Sequence, residues 1–191
     1  VFRDIQRIGK IIVISFSHSL KMIIHLKMTG QLLVHLQPRP ILRHTHLIIE
    51  LVPRGDYLIY RDIRRFGFIC LASCEDIYSL PPLRNIGPDA LAVQWADFRQ
   101  ILSKSKGKTK SRLLDQSLLA GIGNIYADEI LFRAKIHPEQ RIERLSLNEQ
   151  KRLYDSMQFI LKKATKNGGS SIRNYLNSEG QPGQFQRFHN V

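Results

Sequence analysis

Apolar residues fall into two different rhythms along this chain. Up to about residue 72 they come in short runs: Ile11 to Phe16, Met22 to Leu26, Gln31 to Leu36, His46 to Val52, Tyr57 to Tyr60 and Phe66 to Leu71. Each run is rich in Ile, Leu, Val and aromatic residues, which fit a pleated, half-buried surface. Between them stand turn-forming clusters, Ser17-His18-Ser19, Thr29-Gly30, Pro38-Arg39-Pro40 and Pro53-Arg54-Gly55-Asp56. Short strands at this spacing predict an antiparallel β-sandwich. From about Val93 the period becomes helical. Ser146-Leu147-Asn148-Glu149 is a capping box, and Leu153, Met157, Ile160, Leu161 and Ala164 then share one helical face. Lys162, Lys163 and Lys166 suit the negative end of that helix dipole, and Gly168-Gly169 predicts its stop. A second helix is expected over Ile125 to Ala134. The fold class is therefore α+β: a β-sandwich over residues 1–84, a linker from Pro81-Pro82 to Pro88, and a mostly helical domain over residues 93–191.

Charge narrows the function. The 191 residues are 43% apolar, as in ordinary globular proteins, and carry a formal net charge of +13. An excess that large points to a polyanionic partner, nucleic acid above all, although a merely basic surface is the simpler alternative. The excess is concentrated in the second half, with 17 basic against 9 acidic residues over 93–191 and 12 against 7 over 1–92. Arg99, Lys104, Lys106, Lys108, Lys110 and Arg112 follow one another with no acid between them. No apolar run approaches the length of a membrane span. The two cysteines, Cys70 and Cys74, are spaced for neither a zinc site nor a disulfide framework, so reduced thiols and a cytoplasmic setting are expected. The chain opens at Val1, directly in strand-like sequence, which suggests a missing N-terminus.

Just after the basic run, Ala120-Gly121-Ile122-Gly123-Asn124 leads into the helix of Ile125 to Ala134. Glycines before a helix start let backbone N–H groups approach an anion, and the helix dipole adds partial positive charge there. Asn124 is placed to cap that helix or to donate to a phosphate. Taken alone, a Gly-x-Gly turn more often only reverses the chain; joined to the lysines it resembles a helix–two-turn–helix holding a nucleic-acid backbone.

Several runs, in order along the chain, are similar to those of bacterial formamidopyrimidine-DNA glycosylases. His25-Leu26-Lys27-Met28-Thr29-Gly30 resembles HLGMTG, and Tyr60-Arg61-Asp62-Ile63-Arg64-Arg65-Phe66-Gly67 resembles YRDPRRFG. Asn85 to Leu91 resembles the LGPEPL linker, and Leu113-Leu114-Asp115-Gln116 with Ala120 to Glu129 resembles LLDQ…AGIGNIYADE. Gly168 to Tyr175, with Gly180-Gln181-Pro182-Gly183, resembles the lesion-reading loop, about residues 168–185.

The resemblance implies base-excision repair: a DNA glycosylase and abasic-site lyase that flips oxidised purines, 8-oxoguanine and formamidopyrimidines, out of duplex DNA. Extruding a base costs a few kcal/mol of stacking, and the gap must be filled. Met28, Arg64 and Phe66 match the family's intercalating residues, the apolar pair as wedges and the arginine as donor to the orphaned base. Either apolar residue alone would more simply be strand-end packing. Lys10 matches a lysine near the lesion phosphate that assists proton transfer; alone it would be an edge-strand lysine. His44, Lys106, Lys110 and Asn124 match DNA-binding positions, Lys106 the least securely because its neighbours differ. Ser170, Ser171, Arg173 and Tyr175 match the lesion-recognition loop. Damaged double-stranded DNA is the implied partner, of a monomeric bacterial protein.

The family's catalytic proline amine, with its glutamate, and its four-cysteine zinc finger are both absent from this sequence. The resemblance thus implies a fragment: no cofactor in this chain, one structural zinc ion in the intact parent, and no activity from these residues by themselves. Lys27 stands where the family has glycine, and Ile63 where it has proline. The alternatives are a non-catalytic helix–two-turn–helix nucleic-acid-binding protein and an endonuclease VIII-type glycosylase for oxidised pyrimidines; the Met28 and Arg64-Arg65-Phe66 runs favour the purine branch.

Overall fold

The computed structural model describes residues 1–36, 43–81, 83–170 and 176–191. Seven strands form in the first part: β1 (Phe2–Ile8), β2 (Ile11–Phe16), β3 (Leu20–His25), β4 (Gly30–His35), β5 (Thr45–Leu51), β6 (Asp56–Asp62) and β7 (Phe68–Ser73). They make two antiparallel sheets, ordered β1-β2-β3-β7 and β4-β6-β5. Register is set by burial. Ile14, Met22 and Ile24 of one sheet form a buried core, against which Leu32, Ile49 and Leu58 of the other sheet pack. A slip of one residue would turn each of these outward. At one edge β1 leaves Phe2 and Ile5 more than half exposed.

Four helices follow: α1 (Trp95–Lys104), α2 (Thr109–Leu114), α3 (Asn124–Ala134) and α4 (Leu147–Lys166). The capping box opens α4 as its sequence predicts. Ser146 Oγ accepts from the Glu149 N–H at 3.3 Å, and Glu149 Oε2 accepts from the Ser146 N–H at 2.8 Å. Leu153, Met157, Ile160, Leu161 and Ala164 are all buried. Gly168 and Gly169 then turn the backbone left-handed, at φ of +68° and +84°.

By internal contacts the chain divides into two compact units. One comprises residues 1–6, 11–74 and 166–187; the other comprises 7–10, 75–165 and 188–191. The segment after α4 thus groups with the strands, although it follows the helices in sequence, and the β1–β2 turn groups with the helices.

Candidate nucleic-acid interface

In the strand unit, two loops bring the candidate plug together. Residues 26–30 form a turn in which the Gly30 N–H donates to Leu26 O at 2.9 Å. A Cβ on Gly30 would stand 2.4 Å from that same oxygen, so only glycine fits. The second loop, residues 62–67, passes through Arg65 at φ +58° and ends at Gly67, whose missing Cβ leaves room for the Tyr60 hydroxyl. Between these turns, the Arg64 guanidinium lies 4.5 Å from the centre of the Phe66 ring, and its Nη1 lies 3.5 Å from Met28 Sδ. Met28 is 68% exposed and Phe66 53%. These are large apolar groups gathered at a loop tip with a cation among them, instead of being packed in the core, which is an arrangement suited to insertion into a partner.

Beneath the tip lies Asp62, fully buried. Its Oδ1 accepts from Thr29 Oγ1 at 2.5 Å and from the Arg64 N–H at 3.2 Å. Its Oδ2 accepts from the Gly67 N–H at 2.8 Å and from the Tyr60 hydroxyl at 3.2 Å. Burial pushes the carboxyl upward, but the combined hydrogen bonds from Thr29, Gly67, Tyr60 and Arg64 outweigh it and hold Asp62 below the usual carboxylate range. Burial, together with the Asp62 charge and hydrogen bond, pushes the Tyr60 phenol up to about 12.

His44 lies on the loop before β5, left-handed at φ +68°, and its carbonyl accepts from the Asp62 N–H at 3.0 Å. Desolvation, then the charges of Arg43, Arg61, His46 and Arg65, hold the His44 imidazole below the usual histidine range. The guanidinium groups of Arg43, Arg61 and Arg65 make the field around His44 positive.

Ser170 is half-buried. Its segment leaves α4 under restraint: the Phe185 N–H donates to Gly169 O and the Gln184 N–H to Asn167 O, both at 2.9 Å. Ser171, Arg173 and Tyr175 lie outside the described residues.

In the helical unit, the two turns ahead of α3 are tied by one side chain. Gln116 Nε2 donates to Leu114 O at 2.8 Å and to Ile122 O at 3.0 Å, while its Oε1 accepts from the Gly121 N–H at 3.0 Å. A second knot holds the β1–β2 turn. Asp89 accepts from Arg7 Nη1 at 2.5 Å and from the Gly9 N–H at 3.1 Å. Gly9 is left-handed at φ +58°, and a Cβ there would come within 2.9 Å of Ala120 Cβ. The result places Lys10 Nζ 3.5 Å from where a Gly123 Cβ would stand. Lys10, the exposed Asn124 and the first N–H groups of α3 therefore occupy one spot, and together they suit a phosphate. Lys10 sits in this turn and not along a strand edge. Asn124 is the first helical residue: Gly123 holds the cap position and caps with no side chain.

The basic run divides in space. Arg99 and Lys104 ride on α1, Lys110 and Arg112 on α2, and the exposed Lys106 lies between. Acids approach three of them: Lys108 pairs with Glu139 and Lys110 with Asp128 at 2.7 Å, both distant in sequence, and Arg112 with its neighbour Asp115 at 3.5 Å. The run thus consists of two helices and a short link, partly neutralised. Among the described residues, no group of three or more His, Cys, Asp or Glu side chains could hold a metal ion, and no helix is long and apolar enough to cross a membrane. Two cysteines cannot make a four-cysteine zinc site.

Comparison with known proteins agrees with both units. The family model for the formamidopyrimidine-DNA glycosylase N-terminal domain matches residues 1–69, and that for the formamidopyrimidine-DNA glycosylase H2TH domain matches residues 86–175. A formamidopyrimidine-DNA glycosylase of Bacillus cereus is 39% identical over 190 residues, covering 98% of this chain and 68% of the relative. That of Heliobacterium modesticaldum is 40% identical over 189 residues, covering 96% and 68%. Among solved structures, a complex between Lactococcus lactis Fpg and DNA containing an abasic site superposes with a TM-score of 0.88 at 36% identity, covering all of this chain and 70% of that one. MutM in complex with DNA containing carbocyclic 8-oxo-G gives 0.87 at 36% identity, with the same coverage. With that identity extending over nearly its whole length, the chain belongs to the formamidopyrimidine-DNA glycosylase family.

Proposed function

We propose that this chain captures oxidised purines in duplex DNA for a base-excision DNA glycosylase and abasic-site lyase, and that Met28, Arg64 and Phe66 fill the gap left by the extruded nucleotide. The observation that carries this reading is the exposed cluster itself. A guanidinium stacked on one apolar wedge and touching another at a loop tip has little to gain in water, and much between base pairs. Arg64 retains a fork of donors for the orphaned base. His44 meets the backbone on the strand side; Lys10, Asn124, Lys110 and Lys106 meet phosphates on the helical side; Ser170, Ser171, Arg173 and Tyr175 read the flipped base. The substrates are 8-oxoguanine and formamidopyrimidine lesions, the setting is the bacterial cytoplasm, and the protein works as a monomer.

The family's Schiff-base-forming amine and its glutamate are not among these residues, so no covalent step is assigned to them. Among the described residues the zinc finger that the resemblance implies finds no ligand set, and no step runs through a metal. What these residues supply is binding, bending and occupation of the gap. The test is binding to labelled duplexes with and without an abasic-site analogue, which removes the cost of extruding a base. The purified chain should prefer the abasic duplex by about tenfold or more, given a few kcal/mol of unstacking avoided. Equal affinity for both would remove the proposal.

A further inference from the structure

We infer that Asp62 is the positioning residue of this interface: its carboxylate, with its own backbone, fixes three DNA-facing loops relative to one another and so presents the plug. The inference rests on the function proposed above and deepens it. Loop 26–30 is held through Thr29, whose hydroxyl donates to Oδ1 at 2.5 Å and accepts from the Arg64 N–H at 3.1 Å. Loop 62–67 is held at both ends, by the Arg64 and Gly67 N–H groups on opposite carboxylate oxygens. The loop before β5 is held by backbone, the Asp62 N–H donating to His44 O at 3.0 Å, and the start of β5 by the His46 side chain, whose Nε2 lies 2.8 Å from Asp62 O. Met28, Phe66 and Arg64 are all exposed, and little of their own packing fixes them. Their placement comes from below.

The chemistry of the donors explains why a carboxylate sits here. Two backbone N–H groups and two hydroxyls converge on two oxygens, and only an ionised acid accepts on both. An asparagine would turn an NH₂ group either toward the Gly67 N–H, leaving that donor without its acceptor, or toward the Arg64 N–H, leaving it only the Thr29 hydroxyl. The loops would then part at that side. The buried cluster of Ile14, Met22 and Ile24 does not include Asp62. Arg65 at φ +58° adds to the argument: a non-glycine residue held left-handed between Arg64 and Phe66 needs an outside restraint on both flanks. The N–H bonds of Arg64 and Gly67 are those flanks.

The experiment compares wild type, Asp62→Asn, Thr29→Val and Thr29→Ser in binding to abasic-analogue and intact duplexes, with amide hydrogen exchange at Arg64 and Gly67. In Asp62→Asn and Thr29→Val the preference for the abasic duplex should fall roughly tenfold, as one lost buried hydrogen bond implies, while affinity for intact duplex stays within about twofold. Exchange at Arg64 or Gly67 should accelerate in Asp62→Asn. Thr29→Ser keeps the hydroxyl and should keep the preference. If Asp62→Asn fails to fold, the Thr29 pair decides: equal preference in Thr29→Val and Thr29→Ser overturns the inference. A folded Asp62→Asn with wild-type preference also overturns it and leaves the proposed function standing. A wild-type chain without any preference overturns both.

Discussion

Replacing Phe66 by alanine separates damage capture from folding. The ring is 53% exposed in the free protein. With about 200 Å² on a phenylalanine, roughly 100 Å² remains to be buried between base pairs. At about 25 cal/mol per Å² that gives roughly 2.5 kcal/mol of favourable transfer. The Arg64 guanidinium 4.5 Å from the ring centre contributes in the same direction, by about 0.5 kcal/mol at an exposed site. Ordering the loop and imperfect stacking consume part of this, so a net loss of about 1 to 2 kcal/mol is expected, roughly 5- to 30-fold in Kd. The assay is fluorescence anisotropy on a duplex carrying an abasic analogue, with intact duplex as control. Phe66→Ala should weaken only the first. Since about half of the ring is covered in the free protein and none of it belongs to the buried core, the urea midpoint should move by no more than about 1 kcal/mol equivalent. Equal loss on both duplexes, or a large loss of stability with no change in selectivity, would refute the reasoning, because Phe66 would then be a structural residue.

Lys110→Ala should lower the slope of log affinity against log salt by about 0.9, the signature of one lost phosphate contact; an unchanged slope would mean that Lys110 stays with Asp128. Lys27, held at φ +52°, should gain stability as glycine, by about 0.5 to 1 kcal/mol or roughly 2 °C in Tm after glycine's own entropic cost; a fall in Tm would show that the lysine is favourable there. The Glu149 carboxyl is lowered from 4.5 to about 2, first by the Gln140 hydrogen bond and then by the Ser146 backbone and hydroxyl. Its contribution is therefore complete above about pH 4.5 and lost as pH falls toward 2. Urea unfolding at pH 7 and pH 3 should show Glu149→Ala destabilised more at pH 7, and an equal difference at both pH values would contradict the capping assignment.

Much of this molecule was legible from its patterning, and what escaped did so for identifiable reasons. The strands and α4 announce themselves by period, and α4 by its capping box. Helix α1 went unread because its cap residue, Gln94, makes no side-chain cap, and its basic end resembles a loop. Helix α2 is six residues long, too short to show a period. The ion pairs of Lys108 and Lys110 were hidden because Glu139 and Asp128 lie 31 and 18 residues away. Asp62 left a fainter trace. It stands two residues after Tyr60 on a strand, hence on the same face, and both are buried. An acid on the inward face of a strand is the mark of a polar hub, but only the structure shows which donors it gathers. Lys27 marked a departure from the family run, and the left-handed backbone now supplies its physical cost.

The account stands or falls on whether the Met28–Arg64–Phe66 tip enters the duplex. A 2-aminopurine base placed opposite an abasic analogue reports its stacking directly by fluorescence. Titration with wild-type chain should change that signal at the concentration where binding saturates, and the triple replacement of these residues by alanine should abolish the change while leaving intact-duplex binding in place. A signal that wild type and triple variant alter equally would place the tip outside the helix and contradict the account.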